Sequence, residues 1–68
     1  MIRVRLNGEE QAVDAATLAE LLAGFGLDAA VRGVAAARNG VVVCAADWAG
    51  TPVAAGDEID VIRAFYGG

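Results

Sequence analysis

Sixty-eight residues with no histidine, one cysteine and a formal net charge of −4 leave room for one small core, which at this size buries only about 60% of the unfolded chain's surface. A phosphate-backbone binder needs clustered Lys and Arg, whereas the positive charges here are Arg3, Arg5, Arg32, Arg38 and Arg63 with no lysine, so nucleic acid is not an expected partner. Cys44, the only cysteine, cannot form an internal disulfide, and without histidine it has no partner for a zinc site or a thiol–imidazole nucleophile, so neither a metal site nor a catalytic residue is expected.

Ile2, Val4 and Leu6 alternate with Arg3, Arg5 and Asn7, the period of two that marks a strand with one buried face. Asn7-Gly8 tolerates the two positive φ angles of a type I′ turn, so Glu9 to Val13 is expected to return antiparallel as a short, polar edge strand. Thr17 and Glu20 have capping-box spacing, and Leu18, Leu21, Leu22 and Phe25 follow at i, i+3, i+4 and i+7, which predicts a helix that buries this stripe. Gly26 should close it in the left-handed conformation with Leu27 folding back onto the stripe. Gly24 stands in the last turn although glycine is about 1 kcal/mol worse than alanine there.

Asp28 to Gly33 reads as a connector, Val34 to Arg38 as a weakly apolar strand, Asn39-Gly40 as a second hairpin turn and Val41 to Cys44 as a fourth strand. Ala45 to Gly56, with Trp48 and the single Pro52, is expected to be a crossing loop, and Gly56-Asp57 a turn. Ile59 to Ala64 is the last strand; Ile59, Val61 and Ile62 are apolar on both parities, which predicts a central place in the sheet. The order β-β-α-β-β-β, with the helix on one face and the last strand parallel to the first, is an α+β, ubiquitin-like β-grasp with a mixed sheet of about five strands. Residues 1–68 are expected to form one such domain, with 64–68 as a flexible functional tail.

The most informative segment is the end, where Phe65-Tyr66 lead into Gly67-Gly68. Two residues without Cβ can enter a narrow slot, so Gly67 and Gly68 read as a tail built to be inserted, with the Gly68 carboxylate as a chemical handle. Frayed ends are also common, and Phe65 and Tyr66 suit either the core or a partner interface that would include Ile62. Cys44 is expected to be a small buried apolar group. Trp48 is expected to fill space beneath the loop. Asp57, Glu58 and Asp60 divide between a solvated turn and the steering of a basic partner, while Arg3, Arg5 and Arg63 are surface charges at the sheet edges.

No recognisable acid–base pair or phosphate loop is present, and Gly24-Phe25-Gly26 is a helix end rather than a nucleotide site. The charged, alternating start is unlike a secretory signal, and no apolar run reaches the roughly 20 residues of a membrane span. A cytoplasmic protein with no membrane partner is the expectation.

Leu6-Asn7-Gly8-Glu9, Thr17-Leu18-Ala19-Glu20-Leu21-Leu22, Arg38-Asn39-Gly40 with Val41 to Val43, Asp47-Trp48, and Gly56-Asp57-Glu58-Ile59 leading to Gly67-Gly68 together resemble the ubiquitin-like sulfur carriers, the ThiS/MoaD family, over nearly the whole chain. Phe65-Tyr66 before the glycines is closer to the thiamin branch than to the molybdopterin synthase small subunit, which commonly has proline there. The sequence departs from the family at Arg38, where an apolar residue is frequent, and at Cys44-Ala45, where proline and a basic residue are frequent.

The resemblance implies a carrier that is a substrate rather than an enzyme. It also implies that the Gly68 carboxylate is the working group and that Gly67 and Gly68 thread into partner active sites. An E1-like adenylyltransferase of the ThiF or MoeB kind would use ATP and Mg to adenylate Gly68. A cysteine desulfurase or other persulfide donor would supply the sulfur of a thiocarboxylate. A thiazole synthase of the ThiG kind would then accept it. No cofactor is expected on the carrier itself. A molybdopterin-type carrier and a ubiquitin-like modifier forming isopeptide bonds are the alternatives.

Overall fold

The computed structural model describes residues 1–27 and 33–63. Residues 28–32 and 64–68, where a connector and a tail are expected, and with them Phe65, Tyr66, Gly67 and Gly68, lie outside the described residues.

Five strands form one sheet: β1 (Ile2–Leu6), β2 (Glu9–Val13), β3 (Val34–Arg38), β4 (Val41–Val43) and β5 (Glu58–Arg63), in the spatial order β2-β1-β5-β3-β4. β1 and β2 pair antiparallel, as do β3 with β4 and β3 with β5, while β1 and β5 run parallel. The last strand is therefore central and parallel to the first, as the sequence predicts. Both Asn-Gly turns take the expected left-handed pair, with φ of 49° and 84° at Asn7 and Gly8 and of 52° and 83° at Asn39 and Gly40.

One helix, α1 (Leu18–Ala23), packs on one face. Its cap is the predicted one: the backbone N–H of Glu20 donates to Thr17 Oγ1 at 3.2 Å. At the other end Leu27 N–H donates to Leu22 O and Gly26 N–H to Ala23 O, both at 3.0 Å, with Gly26 at φ 78°. This is the 6→1 and 5→2 pairing of a Schellman closure, and it returns Leu27 to the core. Phe25 departs from expectation: it falls in the turn after the last regular helical residue and is half exposed. The stripe ends at Leu22 because the chain leaves helical geometry before a third turn forms.

The core consists of Val4, Leu6, Leu18, Leu21, Leu22, Leu27, Ala36, Trp48, Val53 and Ile59. The crossing segment is more ordered than a loop, since Ala45–Gly50 forms a 3-10 helix. Trp48 at its centre is 1% exposed and donates Nε1–H to Val43 O at 3.0 Å, so it fills the space beneath this segment and also satisfies its polar atom. Leu18 N–H donates to Thr51 O, and Val53 N–H to Ala16 O. These bonds pin the segment to the start of α1. No described helix is long and apolar enough to cross a membrane.

Candidate functional site: the outer sheet face and the strand that carries the tail

Alternation divides β5 between two environments. Ile59 points into the core and is fully buried, whereas Glu58, Asp60 and Ile62 point to the face opposite α1, which no described element covers. Apolar character on both parities therefore did mark the central strand, but its second apolar face is open rather than buried. Ile62 is 65% exposed and pairs with Ala35, while Asp60 pairs with Ala37, which in turn pairs with Val42, 71% exposed. Ile62, Ala35, Ala37 and Val42 thus form an apolar area on the outer face, beside the end of β5 from which residue 64 departs.

The other half of this face is charged. Arg3 Nη1 lies 3.4 Å from Glu10 Oε1 and Arg5 Nη1 lies 3.9 Å from Glu58 Oε1, all four side chains being more than half exposed. They border a shallow open groove of ≈ 200 Å³. Exposed pairs of this kind contribute little to stability. Arg3 and Arg5 are surface charges, but on β1, which lies between β2 and β5 rather than at a sheet edge; the side chain of Arg63 lies outside the described residues.

Asp57 corrects the reading of an acidic, solvated turn. Only Glu58 and Asp60 are exposed; Asp57 is buried and collects three hydrogen bonds, from Ala54 N–H at 2.8 Å, Arg38 Nε at 2.9 Å and Asn39 Nδ2 at 3.1 Å. Burial alone raises its pKa, but these donors outweigh burial and hold the carboxyl below the ordinary aspartate value. Arg38, a departure from the family pattern, is thus matched by a buried carboxylate. Cys44 corrects a second expectation, being exposed. It follows the last paired residue of β4, where the chain turns into the 3-10 helix and no layer lies above it.

Strand β5 is fixed by both Asn-Gly turns, which sequence reasoning missed. Asn7 N–H donates to Ile59 O at 2.9 Å, and Asn7 Oδ1 accepts from Val61 N–H at 2.8 Å. Asn39 N–H donates to Glu58 O at 2.7 Å, and Asn39 Oδ1 accepts from Glu58 N–H at 2.9 Å. The choice of Asn over Asp or Gly in these turns was the available signal, but it also suits the turn alone.

A family model of the ThiS family matches residues 4–68, spanning the sheet, the helix and the two terminal glycines. The chain belongs to the ThiS family. Among solved structures, this ThiS-family chain is similar to the crystal structure of a thiamine biosynthesis protein, ThiS, from Geobacter metallireducens, with a TM-score of 0.78 and 27% identity over 98% of this chain and 100% of that one. The resemblance read from the motifs and the β-grasp read from the element order are both borne out. Comparison with curated proteins found no match.

Proposed function

We propose that this ThiS-family chain is a sulfur carrier of thiamine biosynthesis, a protein substrate whose working group is the Gly68 carboxylate. The observation that carries the reading is the family match, which runs through Gly67 and Gly68 on a fold whose last strand is central in the sheet. The absence of lysine is consistent with it, because an activated acyl group then meets no side-chain amine on its own surface.

A carboxylate is anionic and lacks a leaving group, so activation comes first. An E1-like adenylyltransferase binds ATP and Mg; a Gly68 oxygen attacks the α-phosphorus, pyrophosphate departs, and the metal screens the phosphate charge. A persulfide sulfur, delivered by a cysteine desulfurase or by the activating enzyme, then attacks the acyl carbon and AMP leaves. A thiol cleaves the resulting acyl disulfide, releasing Gly68 as a thiocarboxylate and the donor as a disulfide. The thiazole synthase receives the sulfur. In this scheme Gly67 and Gly68 thread the partner's channel, and Phe65 and Tyr66 together with Ile62 and its apolar neighbours rest on the partner's surface.

Intact-mass analysis after incubation with the activating enzyme, ATP and a persulfide donor tests the reading. Replacement of one oxygen by sulfur, lost on deletion of Gly68, is the expected result. Ladders on target lysines would make the chain a protein modifier instead. Transfer to a molybdopterin precursor in preference to the thiazole would move it to the neighbouring branch.

A further inference from the structure

Asn7 does more than turn the first hairpin. In a parallel ladder the main-chain carbonyl of the residue opposite Asp60 should accept from Val61 N–H, and Asn7 occupies that position, one beyond the Leu6–Ile59 pair. Its φ of 49° turns the main chain away from the ladder, and the side-chain carbonyl takes over, with Oδ1 2.8 Å from Val61 N. Asn39 makes the same substitution at the other end of β5, where its Oδ1 accepts from Glu58 N–H. Among the described residues the β1 side offers β5 nothing beyond Val61, and Ile62 and Arg63 pair with β3. The Asn7 side chain is thus the last described bond on one flank of β5 before the segment that carries Gly68.

Resting on the carrier reading above, we propose that Asn7 is a positioning residue for that reaction, holding in register the strand that leads to the working end. A partner that engages Ile62 and Gly68 together needs the strand that leads to both held in register. When β5 frays back from Val61, only the fraction with the strand in place is competent to dock, and apparent affinity falls by that fraction. Fraying ends open at close to zero free energy, which is the condition under which loss of one bond lowers that fraction by a few-fold. The effect belongs in KM for the carrier rather than in kcat, because Asn7 touches no reacting atom.

The test compares three variants of the full chain. Asn7→Gly keeps a residue that accepts positive φ but deletes the acceptor; Asn7→Asp keeps both; Asn39→Gly makes the same deletion at the far end of β5. Amide hydrogen exchange at Val61 is measured against Leu22 in the core, urea unfolding gives global stability, and steady-state adenylation gives KM and kcat. Asn7→Gly is expected to lower Val61 protection by about fivefold relative to Leu22, the scale of one net hydrogen bond, and to raise KM by a few-fold at unchanged kcat. Asn7→Asp should restore both, and Asn39→Gly should lower stability with KM unchanged. Unchanged Val61 protection in Asn7→Gly, or lost protection with an unchanged KM, overturns the proposal, as does an equal KM rise in Asn39→Gly. A wild-type chain that is not adenylated at all refutes the carrier reading instead, and the exchange measurement then decides alone whether Asn7 fixes the strand.

Discussion

Asp57 shows how a single buried carboxylate organises the start of the tail-bearing strand. Its three donors come from the Ala54 turn, from β3 and from the second hairpin turn, so its loss strands polar groups on three segments at once. Asp57→Ala is expected to destabilise the protein by about 2–3 kcal/mol, read as a shift in urea midpoint at neutral pH. The native pKa lies below the unfolded one, so Asp57 adds stability above the ordinary aspartate value of about 3.9. That contribution is lost as pH falls through the lowered native value. Asp57→Asn should flatten this acid limb, and urea titrations at successive pH values below neutral check it. Trp48 is the other residue on which much depends: fully buried and bonded to Val43 O, it should cost about 3–5 kcal/mol on truncation to alanine, enough to leave such a small domain largely unfolded in circular dichroism.

Among the elements, the helix was legible because its signals are local. Thr17 capping Glu20 and Gly26 closing onto Leu27 depend on neighbours within a few residues, and both form as read. Gly26→Ala, forced to φ 78°, should lose about 1–2 kcal/mol, measurable by thermal unfolding, with the fold retained. The hairpins were legible for the same reason. What escaped reading is non-local. Nothing near Asp57 in sequence announces that Arg38 and Asn39 will meet it, and nothing near Asn7 announces Val61. Phe25 completes a helical stripe on paper but lies past the last regular turn, and Cys44 looks like a strand residue but stands where pairing stops. Of the candidate site, the apolar alternation of β5 could be read, whereas the openness of its outer face depends on which side α1 covers. Gly67 and Gly68 were singled out by residue type and position alone and lie outside the described residues.

Across the described residues, the two faces of the sheet differ in character. One face of the sheet is spent on the core; the other carries the apolar area of Ile62, Ala35, Ala37 and Val42 beside the Arg3–Glu10 and Arg5–Glu58 pairs. Ile62→Asp should leave the unfolding free energy within about 0.5 kcal/mol of wild type, as exposed substitutions do. Binding to the activating enzyme should nonetheless weaken by about tenfold, the loss expected of an interface anchor, as isothermal titration would register. Equal binding by the two proteins would remove this face from the docking surface.

The topology has a consequence for the cell's supply of this protein. β1 with β2, and β3 with β4, are two separate hairpins, and β5, made last, is the strand that joins them. A chain cut short during synthesis before Glu58 therefore lacks the keystone of its own sheet and cannot close its core. Ribosomal stalling or a nonsense codon upstream of Glu58 thus yields material for proteases rather than a folded decoy.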